Sequence, residues 1–528
     1  MERHIGMWFK ESNPQKKEVA ELIIDGNSVE FYSRFHGEVF PTTFIGNDGD
    51  RSYKVFVNGT ARSINKRLLD YTSSHRVFYV LMQNFSFSKG TNISGVVEFS
   101  FSIPELINWL GIKTVFYTDT ISGNLAAAEE NLNPIIIHEA NPHIEIYFET
   151  KTFEKSLAND DRTSITINQE PRISVKYDKS QGIETVMSDI ECLMQFLGLL
   201  IGSVSTVDDI RLSIENQEVY SWLYFNKDFS YNTTNKSIIE TPRTYLYIVL
   251  DKLQYYYSNW RNFFFDDTFA LLRRIYFSVN NKSCIFAEEI FVEYMRILDG
   301  YHTRISGDEE AKTKLKNAIN TVKKEIKNLL FTEEGKLLFE KTIKTVLPDW
   351  KCNSSHKDEI ANWIASGFLS KTSLSHRLKE IDEQYLQIIS NNAVSVENLR
   401  RDTTQIKDKS NEELVELYFK ELSDTRNFYS HYKLDNSGVL EFGQILDSIN
   451  ILKATIVAIL FKHMGIEKEL IRKILAFDSE LHFQTMFLRN EDDSPFEHPS
   501  SLQNKETDGK QKVSILNKIF KKNIFGKK

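Results

Sequence analysis

The chain has 528 residues, enough for two or three domains that each bury a full core. Its 65 basic and 73 acidic side chains leave a net charge of −8, which argues against a protein that coats nucleic acid and restricts any RNA contact to a local patch. Cys192, Cys284 and Cys352 stand far apart with no CxxC or Cys/His cluster, so neither a disulfide framework nor a zinc site is indicated, and a reducing, cytoplasmic setting fits.

The start, residues 1–17, is charged and lacks the apolar core of a secretory signal. The part that follows reads as β-rich. Apolar, β-branched runs at 19–24 and 29–35 flank the turn signal Asp25-Gly26-Asn27. Further strands are predicted at 54–57, 77–87 and 95–102, and by alternation at 144–149, 164–167 and 173–177. That spacing predicts a meander or sandwich, with one short helix at 104–110. The period then changes to helical over 184–202, where Val186, Ile190, Leu193, Leu197 and Ile201 recur, and a β-like stretch follows at 217–225.

From about 241 to 465 the pattern is almost wholly helical. Phe291, Tyr294, Met295 and Leu298 trace one helix face, and Ile445, Ile449, Leu452, Ile456 and Leu460 another. The apolar runs at 192–204 and 449–461 fall short of the roughly 20 residues a bilayer span needs, so no membrane span is expected. Ser410-Asn411-Glu412-Glu413 is a capping box that should start a helix. Beyond it, 489–512 is polar and reads as a linker, while 513–528 is short, basic and amphipathic. Such a tail docks on its own protein, or touches RNA, an acidic partner or a membrane surface. The fold class is therefore α+β. The expected domains are 1–238, β-rich and sandwich-like, 239–478, a helical bundle, and 479–528, linker and tail.

One segment carries chemistry: Asp424-Thr425-Arg426-Asn427-Phe428-Tyr429-Ser430-His431-Tyr432. An Arg, a small polar residue and a His five positions on match the R-x4-6-H pattern of HEPN ribonucleases, a pattern short enough to arise by chance. In RNA cleavage the 2′-hydroxyl attacks the adjacent phosphate, so the substrate brings its own nucleophile. The protein has to move protons, for which imidazole is suited. It also has to stabilise charge on phosphate, for which a guanidinium fork is suited. No metal or other cofactor is implied. Five residues along an α-helix make about 500° of rotation, so Arg426 and His431 should sit roughly 140° apart. Either the helix breaks inside the motif or a second chain completes the site. A purely structural alternative pairs Arg426 with Asp424 or Glu421 and leaves His431 at a helix C-terminus.

The chain as a whole resembles the ApeA family of abortive-infection proteins, which join a β-rich N-terminal region to a HEPN domain. The resemblance is carried by Gly6-Met7-Trp8-Phe9, His36-Gly37-Glu38, the segment from Phe196 to Gly202, Tyr301-His302-Thr303-Arg304, Ser373-Leu374, Arg377-Leu378 and the motif itself, in order, to about residue 474. It implies an antiphage effector that cuts RNA, with tRNA anticodon loops as substrate, once a phage-encoded trigger is sensed. It implies a homodimer whose two motifs share a cleft. It makes Arg426 and His431 catalytic and Asn427 their assistant, with Thr425 and Tyr432 flanking the site. A HEPN scaffold that binds RNA or protein without cutting is the alternative. His302, Arg304 and the lysine run from Lys312 to Lys327 are lesser candidates for RNA contact, and His36, His75, His138 and His143 lack ligand-like spacing.

Overall fold

The computed structural model describes residues 2–25, 28–33, 42–48, 51–62, 73–83, 95–111, 115–117, 133–156, 163–202, 207–217, 219–225, 241–281, 286–305, scattered positions between 317 and 341, 373–401, 406–431 and 438–496. They fall into two compact units. The first comprises residues 1–285 and 457–528, and the second 286–456.

The first unit holds the β structure. Its strands are β1 (Glu2–Lys10), β2 (Asn13–Asp25), β3 (Ser28–Ser33), β4 (Thr42–Asp48), β5 (Arg51–Arg62), β6 (Ser73–Gln83), β7 (Val96–Ser102), β8 (Val115–Tyr117), β9 (Ile135–His138), β10 (His143–Ser156), β11 (Thr163–Gln181), β12 (Asp208–Ile214) and β13 (Ser221–Phe225). All belong to one sheet, in the order β3-β2-β1-β4-β5-β6-β13-β12-β7-β11-β10-β9, with β8 on β11. An added β3–β6 pairing closes the first six strands on themselves. The expected sandwich-like packing thus takes the form of a single sheet, one part of which is a ring without free edges.

Trp8, Leu22, Phe31, Phe44, Tyr53, Val55 and Val80 fill that ring. Trp8 lies opposite Gly46 in the β1–β4 register, and a Cβ on Gly46 would stand 2.2 Å from the indole. Only glycine lets the indole lie there. The β10–β11 hairpin is long and continuous, so the two predicted strands at 164–167 and 173–177 are one element. Helices of this unit are α1 (Leu106–Leu110), α2 (Ile183–Ile201), α3 (Leu246–Val249), α4 (Leu253–Phe264) and α5 (Asp267–Asn281). Helix α2 is buried on most sides, and Trp260 of α4 donates its indole N–H to the Cys192 carbonyl at 3.0 Å.

The second unit is helical: α6 (Ala287–Ile305), α7 (Leu374–Gln384), α8 (Ile388–Glu397) and α9 (Asn411–His431). The unit boundary falls inside α10 (Phe442–His463), which is followed in the first unit by α11 (Lys468–Ala476) and α12 (His482–Thr485). Helix α10 is long and apolar enough to cross a membrane, but its apolar window is 78 % buried, as a core helix of a globular protein would be. The predicted capping box starts α9 as expected. Ser410 N–H donates to Glu413 at 2.7 Å, and the Glu413 N–H returns a bond to Ser410 Oγ at 3.3 Å.

Candidate functional site

Helix α9 carries the motif. Leu414, Tyr418, Leu422 and Thr425 form its buried stripe, spaced so that every turn or so returns one apolar or capped side chain to the unit's interior. Tyr418 anchors the stripe by a 2.8 Å bond between its hydroxyl and that of Ser448. The helix does not break within the motif. It runs unbroken to His431, the last described residue before 438. Arg426 and His431 therefore leave the helix on opposite flanks of the buried stripe, about 140° apart by helix geometry.

Thr425 is fully buried, and its Oγ1 accepts the Leu440 N–H at 2.8 Å. That bond ties the motif to the segment leading into α10. The same segment turns at Gly438, whose φ of +75° disfavours a side chain and where a Cβ would stand 3.2 Å from Asp424 Oδ2. Thr425 is thus a structural neighbour of the site, with no face toward solvent. Tyr432 lies outside the described residues.

Arg426 is 23 % exposed and sparsely paired. Its Nη1 donates to Asn427 Oδ1 at 3.0 Å, its Nη2 lies 3.8 Å from Asp299 Oδ2, and its Nε is buried with no partner among the described residues. The structural alternative of a pair with Asp424 or Glu421 is not what forms. Glu421 is buried and bound by Arg400, which also holds Glu397 at 2.8 Å. His431 is exposed and is the last described residue of α9. Arg426 and His431 thus remain open to a ligand, while Asn427 orients the guanidinium by taking one of its donors.

Asp299 was not singled out from the sequence, and Arg377 only as part of the family resemblance, with no role at the site. Asp299 of α6 accepts a hydrogen bond from Arg377 of α7 through Oδ1 while Oδ2 faces Arg426. The lesser candidates have ordinary roles. His302 is buried against Glu380, whose carboxyl it holds below the usual range, and Arg304 donates to the Gly300 carbonyl at 2.9 Å. His138 bonds the Pro142 carbonyl at 2.8 Å, and His143 stands 3.5 Å from Glu145. His36 lies outside the described residues, as does the lysine run except for Lys324, which is exposed. A groove beside the first half of α9 is lined by Glu412, Glu413, Glu416 and Asp424 against Lys409 and Lys420, a balance that disfavours it as a phosphate track. Among the described residues no group of three His, Cys, Asp or Glu side chains is arranged to hold a metal.

Comparison with known families gives two matches in chain order. Residues 3–260 match a model described as ApeA N-terminal domain 1, and residues 292–470 match a model described as Apea-like HEPN. No curated protein and no solved structure matches the chain significantly.

Proposed function

The chain belongs to the ApeA family of HEPN proteins, and from that premise we propose that it is a metal-independent endoribonuclease that acts through Arg426, Asn427 and His431. Its α+β fold is a β-sheet region followed by a helical HEPN region, and the family points to an antiphage effector with nuclease activity on RNA. The observation that carries the residue assignment is the state of Arg426. A guanidinium with one hydrogen bond to its own neighbour, one long ion pair and one buried, unpartnered Nε is costly unless a ligand completes it.

The chemistry follows from those groups. The O2′–P bond forms as the P–O5′ bond breaks, leaving a 2′,3′-cyclic phosphate and a 5′-hydroxyl. His431 takes the proton of the attacking 2′-hydroxyl, and a proton returns to the departing O5′. Arg426 forks two N–H bonds onto the phosphate oxygens, whose charge is greatest midway, and Asn427 fixes its orientation. Two copies of the motif in one cleft set the Arg426 of one chain against the His431 of the other at a single phosphate. The unbroken helix favours this arrangement, because one chain alone presents Arg426 and His431 on different flanks. A two-fold dimer does this with one self-complementary surface. A tRNA anticodon loop suits such a cleft, since unpaired nucleotides can be splayed open and their 2′-hydroxyls reached. In this reading a phage-encoded trigger releases the activity and the β-sheet region senses it.

The test is small-RNA sequencing of phage-infected cells that express wild type, Arg426→Ala or His431→Ala. Wild type should produce tRNA fragments with cyclic-phosphate and 5′-hydroxyl ends, and each substitution should lower them by about 10²-fold or more. Equal fragment yields from all three chains would make the motif structural and leave a binding scaffold in its place.

A further inference from the structure

The Asp299 carboxylate stands between two guanidinium groups from two other helices. Arg377 of α7 donates to Oδ1, and Arg426 Nη2 of α9 lies 3.8 Å from Oδ2. Asp299, Arg377 and Arg426 are 24, 17 and 23 % exposed, so water reaches the cluster without surrounding it. Attraction between partly shielded charges at such a separation is well above its value in bulk water. The distance to Arg426 is nevertheless beyond hydrogen-bond length, so the close partner of Asp299 is Arg377.

That asymmetry has a chemical consequence. A carboxylate bonded tightly to the catalytic arginine would compete with a phosphate for the same donors. A carboxylate already engaged by Arg377 steers Arg426 without saturating it, and the three groups together keep a net charge of +1. We infer that Asp299, braced by Arg377, is a positioning residue that holds the Arg426 guanidinium where the scissile phosphate meets it. This rests on the ribonuclease reading above. It also has a sign. Removing the charge of Asp299 removes a group that repels phosphate, so RNA binding holds or tightens. The orientation of Arg426 is lost at the same time, so cleavage slows. A role confined to fold stability would instead lower both together.

The experiment compares full-length wild type, Asp299→Asn, Asp299→Glu and Arg426→Ala. Cleavage is read as RNA fragments in phage-infected cells, where any trigger the chain requires is present. Binding is read by fluorescence anisotropy on purified protein with a 2′-O-methylated single-stranded oligonucleotide, which cannot be cut. Asp299→Asn should lower fragment yield about 10- to 100-fold, bind the oligonucleotide at least as well as wild type, and melt within a few degrees of it. Asp299→Glu should recover most of the yield. Wild-type cleavage by Asp299→Asn overturns the inference. So does parallel loss of cleavage, binding and melting temperature, which makes Asp299 structural. Wild-type cleavage by Arg426→Ala, or no fragments from wild type, overturns instead the ribonuclease reading on which it rests.

Discussion

Thr425→Val isolates the bond that seats the motif. Thr425 is 0 % exposed, and its Oγ1 accepts the Leu440 N–H at 2.8 Å, with Leu440 itself 3 % exposed. Valine keeps the β-branched shape and removes only the acceptor, so the Leu440 amide is left buried and unpaired. Such a group costs about 1–3 kcal/mol. For a helical unit spanning 286–456, each kcal/mol lowers the melting midpoint by about 2–4 °C, so a fall of about 2–12 °C is expected. Local opening is the sharper readout. Hydrogen exchange in peptides covering Thr425 and Leu440 should quicken by about 5- to 150-fold, the same free energy expressed as a population. Cleavage per folded molecule should stay within about threefold of wild type, since Thr425 has no face toward substrate. Unchanged exchange and midpoint would show that the bond contributes nothing. Unchanged stability with lost cleavage would give Thr425 a chemical role and refute its placement.

Arg400→Met should cost about 3–5 kcal/mol in thermal unfolding, because it strands Glu397 and Glu421 as two buried carboxylates without a cation. Replacing all three together by Leu, Met and Leu should cost far less. Burial, with the Glu421 charge beside it, pushes the Glu397 carboxyl up to about 7 from an ordinary 4.5. The folded chain therefore keeps a proton that the unfolded chain has released. The stability this lends is full below about pH 4.5 and is lost as pH rises through about 7. Melting curves taken across that window should show the decline, and Glu397→Gln should flatten it. Ser410→Ala removes one half of the box at the start of α9 and should lower stability by about 1 kcal/mol, read by thermal unfolding.

Helical periodicity and the capping box were legible because each is a local signal. Ser410 and Glu413 lie within one turn, and the buried stripe of α9 repeats every three or four residues. Strand β1 was not predicted, for a visible reason. Its outward positions hold the apolar Ile5 and Met7, 46 and 50 % exposed, while polar His4 turns inward to Tyr53, so alternation points the wrong way. The closing of six strands into a ring rests on the β3–β6 pairing between distant segments, which no window of sequence displays. Arg426, Asn427 and His431 were readable as a motif because family spacing marks them. The roles of Asp299 and Arg377 were not, since Asp299 meets Arg426, and Arg377 meets Asp299, only across helices far apart in the chain. The sequence also left open whether the helix breaks within the motif, and the structure shows it continuous to His431.

That continuity leads to the most direct test of a shared cleft. Arg426→Ala and His431→Ala chains are expressed singly and together in phage-infected cells at equal levels, and RNA fragments are counted. A mixed dimer then offers an intact Arg426 from one chain and an intact His431 from the other. Cleavage should return to a measurable fraction of wild type in the mixture alone. If the mixture stays as inactive as either chain by itself while wild type cleaves, Arg426 and His431 act within one chain and the two-chain cleft is wrong.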